Sequence, residues 1–153
     1  MCGIVGIISS KEVTGRIINS LKKLEYRGYD SAGIATLVDG NINEVKCEGR
    51  VEVLEKDISK FNLKGDIGIG HVRWATHGKP SKINAHPHSS DHVSVVHNGI
   101  IENSTILKKF LEKKGYVFKS QTDTEVIAHL VTEYLKKNSL KDTIIKVLKK
   151  LHG

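Results

Sequence analysis

The chain has 153 residues, a net charge of +7 and a pI of about 9.4. Its length suits one domain with a single core rather than a multidomain protein. It contains no apolar run of roughly 18 residues and no N-terminal signal pattern, so we expect a soluble cytoplasmic protein with no membrane partner. The two cysteines, Cys2 and Cys47, do not suggest the disulfide framework of small secreted domains.

The positive charge raises the possibility of nucleic-acid binding, because Lys and Arg side chains that neutralise phosphates dominate such affinities. The lysines are spread through the predicted helices, however, with few aromatic side chains beside them that could stack on bases. Solvated helix faces account better for this distribution. We therefore expect no nucleic-acid partner.

Strand and helix patterns alternate through the first half of the chain. The glycine-broken apolar run at residues 1–9 predicts a buried strand that begins at Cys2. Apolar residues at near-helical spacing predict an amphipathic helix over residues 12–26. The segment EYRGYDSAG then predicts a turn, followed by hairpin strands at residues 34–38 and 42–47 and a short helix at residues 51–60.

The second half begins with a predicted strand at residues 66–74. Glycine, both prolines and small polar residues predict a loop over residues 75–90, and loops of that length in compact domains are usually functional or disordered. A further buried strand at residues 93–97 ends at Asn98-Gly99. Three helices are then predicted, at residues 103–114 with an N-terminal cap, at 123–137 and at 140–151. Mixed strands, hairpins and helices favour an α+β layered domain.

Cys2 follows the initiator methionine directly. Removal of Met1 would leave the Cys2 thiol beside its own free α-amino group. Reference pKa values of about 7.7–8.0 for the amine and about 8.5 for the thiol make proton transfer between them nearly thermoneutral. Nucleophile and base would then belong to one residue. The plainer alternative is a small apolar residue at the start of a strand.

Six short motifs in the sequence favour a catalytic role for Cys2. In chain order they are CGIVGI, LEYRGYDSAG, GHVRWATHG, NAHPH, VVHNGIIEN and TDTEVIAHL. Together they resemble the glutaminase domain of the glutamine:fructose-6-phosphate amidotransferases, a class II glutamine amidotransferase family. The resemblance runs from Cys2 to about Leu130. Other class II enzymes share the Cys-Gly-Ile start, but YRGYDSAG and RWATHG are most similar to the hexosamine-forming family.

The resemblance implies the N-terminal-nucleophile hydrolase fold, a four-layer αββα sandwich. It also implies glutamine hydrolysis to glutamate and ammonia through a thioester on Cys2, with no cofactor. Asn98 and Gly99 would hold the oxyanion through the side-chain amide and a backbone N–H. Arg27 and Gly28 would pack beside the nucleophile and orient it.

The same resemblance implies a glutamine-binding set. Arg73 would bind the α-carboxylate, since a guanidinium can donate two parallel hydrogen bonds to a carboxylate, and Asp123 would accept from the α-ammonium group. Trp74, Thr76 and His77 belong to a segment that lies over bound glutamine in this family. His86 joins the set from NAHPH, near the region through which the glutaminase and synthase parts communicate; the exact roles of His86 and His88 stay open.

Several of these residues have plainer alternatives. Asn98-Gly99 is also an ordinary turn dipeptide. Asp123 could cap the following helix, Trp74 could be a core aromatic, and Arg27 could face solvent from its turn. Cys47 is better interpreted as a buried small apolar residue than as a second nucleophile.

Six histidines fall within residues 71–97, which raises the possibility of a zinc site. Their spacing fits no helical His-x-x-x-His pair, and Cys47 is the one residue that could add a sulfur ligand. We therefore expect no native metal.

The family's glutaminase domain continues beyond the length of this chain and is followed by two sugar-isomerase subdomains that bind fructose 6-phosphate. We therefore expect residues 1–153 to form a truncated glutaminase domain, incomplete at its C-terminus and unable to make glucosamine 6-phosphate alone. Its expected partners are L-glutamine and the isomerase/synthase domains, and a homodimer is a further possibility. Missing strands should leave unpaired sheet edges and exposed apolar faces.

Three functions remain open at this point. The first is a glutamine-hydrolysing module that uses Cys2. The second is a binding module that keeps the glutamine pocket without turnover. The third, least favoured, is a basic nucleic-acid binder with strongly salt-dependent affinity.

Overall fold

The computed structural model describes residues 1–75 and 78–153 of the chain. Its larger sheet has four antiparallel strands in the order β1-β4-β2-β3. Gly3 of β1 pairs with Val72 of β4, and Ser31 of β2 pairs with Arg73. The start of β1, the start of β2 and the end of β4 therefore meet at one end of the sheet. The strands are β1 (Gly3–Ile8), β2 (Ser31–Val38), β3 (Asn41–Glu48) and β4 (Ile67–Arg73).

Two helices, α1 (Thr14–Leu24) and α2 (Val51–Ile58), cover one face of this sheet. Their apolar residues form a core with the inward side chains of β2, β3 and β4. Two glycines of β4 allow α1 to approach closely. A Cβ at Gly68 or Gly70 would lie 2.7 or 2.5 Å from side-chain atoms of Ile17. A short 3₁₀ helix, Glu25–Arg27, follows α1 and leads the chain toward the end of β4.

The opposite face of the large sheet meets a second, two-stranded sheet. A Cβ at Gly33 of β2 would lie only 2.1 Å from the carbonyl oxygen of His86, so the glycine is required for this close approach. Helix α4 packs on the outer face of the small sheet, and a second apolar core joins the last three helices. The elements are β5 (His88–Ser90), β6 (Val93–Val95), α3 (Ser104–Glu112), α4 (Glu125–Leu135) and α5 (Leu140–Leu148). The layers are thus helix, sheet, sheet, helix.

Most predicted elements are confirmed, and the main errors concern strands. β5 lies within the predicted loop at residues 75–90, and β2 begins at Ser31 inside the predicted turn. Residues 88–90 and 31–33 are polar or small, so their sequences lack a strand pattern, and pairing with a neighbouring strand determines their conformation. The opening strand is not buried, because β1 lies at the sheet edge with Ile4 and Ile8 exposed.

The predicted N-terminal cap of α3 is also wrong. Asn103 precedes α3, but its side chain makes no capping hydrogen bond. It donates instead to the Lys150 carbonyl and accepts from the His152 N–H at 2.8 and 3.1 Å. Asn103 therefore ties the end of the chain to the segment that follows Asn98.

Exposed apolar side chains occur on the large sheet, as predicted. Ile4 and Ile8 of β1 are 42% and 82% exposed, and Leu37 and Ile67, paired across β2 and β4, are 37% and 38% exposed. Among the described residues, the helices are all too short or too polar to cross a membrane.

Candidate active site

Cys2 immediately precedes β1 and lies against the peptide group that follows β4. The backbone N–H of Trp74 donates to Cys2 Sγ at 3.3 Å, and the thiol lies 3.6 Å from the Trp74 carbonyl oxygen. These contacts follow from the antiparallel pairing of β1 with β4, which brings residues 2 and 74 together. The thiol is half-buried, so a small molecule can reach it.

Two side chains hold the backbone carbonyl of Cys2. Arg27 Nε and Asn98 Nδ2 each donate to this oxygen at 3.0 Å. Arg27 is half-buried and does not face solvent in the way a turn arginine usually does. The two donors come from residues 25 and 96 positions away, and together they fix the orientation of the Cys2 residue.

Gly28 lies where the chain passes directly over the end of β4. A Cβ at this position would lie 2.6–2.8 Å from the backbone atoms of Arg73 and Trp74. Its φ of −178° is ordinary extended backbone, so the requirement for glycine comes from contact and not from backbone strain.

Replacement of Gly28 by alanine is expected to lower the free energy of unfolding by about 1–3 kcal/mol, because the added methyl group overlaps backbone that cannot move aside. Gly6→Ala is the matched control, since a Cβ on this β1 glycine meets nothing within 4 Å. Urea unfolding of both variants is the measurement. Equal stability of the two variants would contradict the contact.

A cavity of about 340 Å³ opens beside the thiol. Its walls come from the start of β1, the end of β4, the segment after β6 and the segment before α4. The lining residues are Met1, Cys2, Arg73, Trp74, His86, His97, Asn98, Gly99, Ile100, Thr122, Asp123 and Thr124. Seven predicted site residues thus share one cavity: Cys2, Arg73, Trp74, His86, Asn98, Gly99 and Asp123.

Arg73 and Trp74 form one wall. Arg73 is buried, and its Nη2 donates to the Gly78 carbonyl at 3.2 Å. Burial lowers the pKa of the guanidinium, whereas Cys2, Asp30 and Asp123 act in the opposite direction. Trp74 is 45% exposed and is not a core aromatic; its ring meets Tyr29 edge-on at 5.8 Å between centroids.

Asp123 does not cap the helix that follows it. Its Oδ2 accepts a 2.6 Å hydrogen bond from the Ile101 N–H, and the N-cap residue of α4 is Thr124. This bond joins the segment before α4 to the segment that carries Asn98 and Gly99. The capping alternative for Asp123 is therefore wrong.

His86 and His97 lie deeper in the cavity wall. The His97 backbone N–H donates to His86 Nδ1 at 3.3 Å, and the His97 ring contacts Thr124 Oγ1 at 3.1 Å through Nδ1. Burial lowers the pKa of His86, and its histidine neighbours and Arg73 lower it further. His88 is behind His86, with centroids 4.7 Å apart, and contacts Thr122 Oγ1 rather than the cavity.

Three further sequence predictions concern Thr76 and His77, a metal site, and Cys47. Thr76 and His77 lie outside the described residues. No three His, Cys, Asp or Glu side chains within residues 1–75 and 78–153 are grouped so as to hold a metal ion. Cys47 is buried in the helix-covered core, as predicted, and both cysteines are free thiols.

Asp30 is a site residue that sequence reasoning missed. Its Oδ2 accepts from the Ala75 N–H at 2.8 Å, and its own N–H donates to the Arg73 carbonyl at 3.0 Å. It thereby holds the chain on both sides of Trp74. Asp30 lies in the YRGYDSAG motif, two residues after Gly28. Because Gly28 contacts the backbone of Arg73 and Trp74, this position in the motif could have indicated that Asp30 lies near the same segment.

Two solved structures share this architecture. The glutamine phosphoribosylpyrophosphate amidotransferase from B. subtilis is 33% identical over the whole chain, with a TM-score of 0.81, and the match covers 33% of that protein. An allosteric regulatory enzyme of purine biosynthesis gives 33% identity and a TM-score of 0.82, over the whole chain and 34% of that protein. The fold is therefore that of the N-terminal-nucleophile class of glutamine amidotransferases.

Residues 71–153 match the family described as a glutamine amidotransferase domain, and the chain belongs to this family. The glutamine–fructose-6-phosphate aminotransferase (isomerizing) of Clostridium acetobutylicum is 55% identical over the whole chain, and that of Francisella tularensis is 56% identical. The chain spans 25% and 26% of these relatives' lengths. The resemblance predicted from the six motifs, to the glutaminase domain of this enzyme group, is confirmed.

Proposed function

We propose that this chain hydrolyses the side-chain amide of L-glutamine with Cys2 as nucleophile, after removal of Met1. The observation that supports this most directly is the shared cavity, where a thiol, an asparagine amide, an arginine and an aspartate face one space of about 340 Å³. A glutamine molecule has an amide to attack, a carboxylate and an ammonium group, and the cavity has a partner for each.

The first step is attack of Cys2 Sγ on the amide carbon. With Met1 removed, the Cys2 α-amine takes the thiol proton and later gives a proton to the departing ammonia. While Met1 is attached, this nitrogen is part of a peptide bond and cannot act as the base. The resulting thioester releases glutamate when water attacks it.

The negative oxygen of the tetrahedral intermediate would accept from Asn98 Nδ2 and the Gly99 N–H. An asparagine amide carries two N–H donors. One can hold the Cys2 carbonyl, as it does at 3.0 Å, while the other points to the oxyanion. Preorganised donors of this kind typically contribute about 2.7–4 kcal/mol each to transition-state stabilisation.

Recognition of glutamine would come from the opposite walls. Arg73 would bind the α-carboxylate and Asp123 the α-ammonium group, with Trp74, Thr76, His77 and His86 adding contacts. Arg27 and Gly28 would hold Cys2 and the Arg73-Trp74 segment in register.

The ammonia would be transferred to fructose 6-phosphate by isomerase/synthase domains, as the names of these relatives indicate. On this proposal residues 1–153 belong to the glutaminase domain of a cytoplasmic enzyme with no cofactor, nucleic acid or membrane partner. Amino-sugar formation by the chain alone, from glutamine and fructose 6-phosphate, would contradict this division of labour.

Covalent trapping tests the proposal. A diazoketone or chloroketone analogue of glutamine should add once to the Met1-free chain, at Cys2, and glutamine should protect against it. Intact mass and peptide mapping are the measurements, with ammonia release followed in the same preparation. Buried Cys47 serves as the internal control and should stay unmodified. Labelling of Cys47 instead, or no glutamine protection, would contradict the proposal, and glutamine binding without ammonia release would favour the binding module.

A further inference from the structure

Two buried histidines hold the peptide groups that immediately precede Asn98. The ring of His71, on β4, stacks on the ring of His86, with centroids 4.2 Å apart and an interplanar angle of 13°. His71 Nε2 lies 3.2 Å from the carbonyl oxygen of His97, and His86 Nδ1 lies 3.3 Å from the His97 N–H. The two rings therefore contact both backbone polar groups of one residue, His97.

These contacts determine the protonation of both rings. A carbonyl oxygen only accepts, so His71 Nε2 must carry a proton and donate. A backbone N–H only donates, so His86 Nδ1 must be unprotonated and accept the hydrogen bond. His86 is then neutral with its proton on Nε2, and His71 carries a proton on Nε2.

The surroundings favour the neutral state of both rings. Both rings are buried, and the ionisable groups that face them are Arg73 on β4, His88 on β5 and His97 after β6. Burial lowers the pKa of His71 to about 4 and also lowers that of His86. His71 Nδ1 has no hydrogen-bond partner among the described residues, so a second proton on this ring would be buried without an acceptor.

The position of His97 gives the contacts a consequence for the site. The His97 carbonyl belongs to the peptide group that links His97 to Asn98. The side-chain amide of Asn98 donates to the Cys2 carbonyl at 3.0 Å. β6 ends at Val95, so the ladder hydrogen bonds of the small sheet do not extend to this residue. Residues 96 and 97 therefore lie between the end of β6 and Asn98 without ladder hydrogen bonds. The His71 and His86 rings contact the backbone of this segment instead.

We propose that His71 and His86 are positioning residues which clamp the His97 peptide groups and so aim the Asn98-Gly99 oxyanion donors at the substrate amide. This inference rests on the proposed glutaminase function. Neither ring needs to touch glutamine or exchange a proton with it in this role, since each acts through the backbone of His97.

The chemistry of the clamp allows a reciprocal test. Glutamine can present a donor where His71 Nε2 lies, whereas the shorter asparagine cannot reach it. Asparagine can present an acceptor where His86 Nδ1 lies, whereas glutamine extends past it. We therefore expect His71→Gln to retain more activity than His71→Asn, and His86→Asn to retain more activity than His86→Gln. His71→Asn and His86→Gln should lower kcat for ammonia release by roughly 10- to 100-fold with little change in the KM for glutamine, since a misplacement of about 1 Å can cost 100-fold.

Asn98→Ala is the comparator, with an expected loss of about 10²–10³ in kcat if an oxyanion donor is removed. A role in packing alone would rank the substitutions by volume, with glutamine better than asparagine at both positions. That ranking, or equal activity of all four variants, would overturn the proposal.

A second measurement needs no turnover. In ¹⁵N NMR spectra near pH 7, both imidazoles should be neutral with the proton on Nε2, and the His97 amide should exchange slowly with solvent. His86→Gln should speed this exchange and His86→Asn should not. A proton on His86 Nδ1, or exchange that is equal in both variants, would overturn the clamp. A Met1-free chain that releases no ammonia would instead overturn the proposed function, while the amide exchange would still decide the clamp.

Discussion

Replacement of Cys2 by alanine is expected to lower ammonia release from glutamine by at least about 10⁴-fold, as removal of a covalent nucleophile does in other hydrolases. The side chain is half-buried at the start of an edge strand, so its loss should leave the unfolding curve nearly unchanged. Glutamine binding should persist, because Arg73 and Asp123 remain in the cavity. Ammonia release measured beside calorimetry with glutamine separates these two effects.

Two controls sharpen this experiment. Cys47→Ala removes a buried thiol from the helix-covered core and should retain hydrolysis despite some loss of stability. A chain that keeps Met1, prepared in cells with methionine aminopeptidase inhibited, should be as inactive as Cys2→Ala, because its Cys2 nitrogen is an amide. Equal ammonia release by the parent chain and Cys2→Ala would overturn the assignment of the nucleophile.

Acidification below about pH 6.5 is expected to destabilise the fold strongly. Burial lowers the pKa of His71 from 6.5 to about 4 and that of His88 to about 3. Between about pH 6.5 and pH 4 these histidines are therefore protonated in the unfolded chain but not in the folded chain, so the free energy of unfolding decreases as the pH falls. For His71 alone, which is fully buried, the change from 6.5 to about 4 amounts to roughly 3 kcal/mol.

Carboxylates act in a lower pH range, so the histidine effect can be observed separately. Burial raises the pKa of Glu125, but the His129 ring, with Nε2 3.6 Å from the carboxylate, and hydrogen bonds from Lys119 and Ser120 outweigh it and hold the value at about 2. Its contribution is lost only below about pH 4.5. Urea unfolding between pH 7.5 and 5 therefore reports mainly on the histidines.

A matched pair of variants assigns the slope. His71→Gln should flatten the dependence of unfolding free energy on pH, because one buried imidazole no longer has to stay neutral. His92→Gln changes an exposed histidine and should leave the slope as it is. A free energy of unfolding that is constant between pH 7.5 and 5 would contradict the neutral burial of these rings.

Local sequence patterns were sufficient for the helices and for most strands. Apolar residues at helical spacing predicted α1, α4 and α5, and alternation around Asp-Gly-Asn predicted the β2–β3 hairpin. They failed at β5 and at the start of β2, where short segments of polar or small residues become strands only because a neighbouring strand supplies the hydrogen bonds. They also misjudged Asn103 and Asp123, which suit helix caps locally but bind groups far away in the sequence.

The motifs of the sequence by themselves determined the family and the residues to examine, beginning with Cys2. Only the tertiary structure decided how these residues meet. Antiparallel pairing of β1 with β4 brings the thiol to the Trp74 peptide, and the long-range bonds from Arg27 and Asn98 orient Cys2. The stacked histidines behind Asn98 likewise come from different strands and segments. Contacts between residues so far apart in the chain depend on how the two sheets pack, and no local pattern encodes that packing.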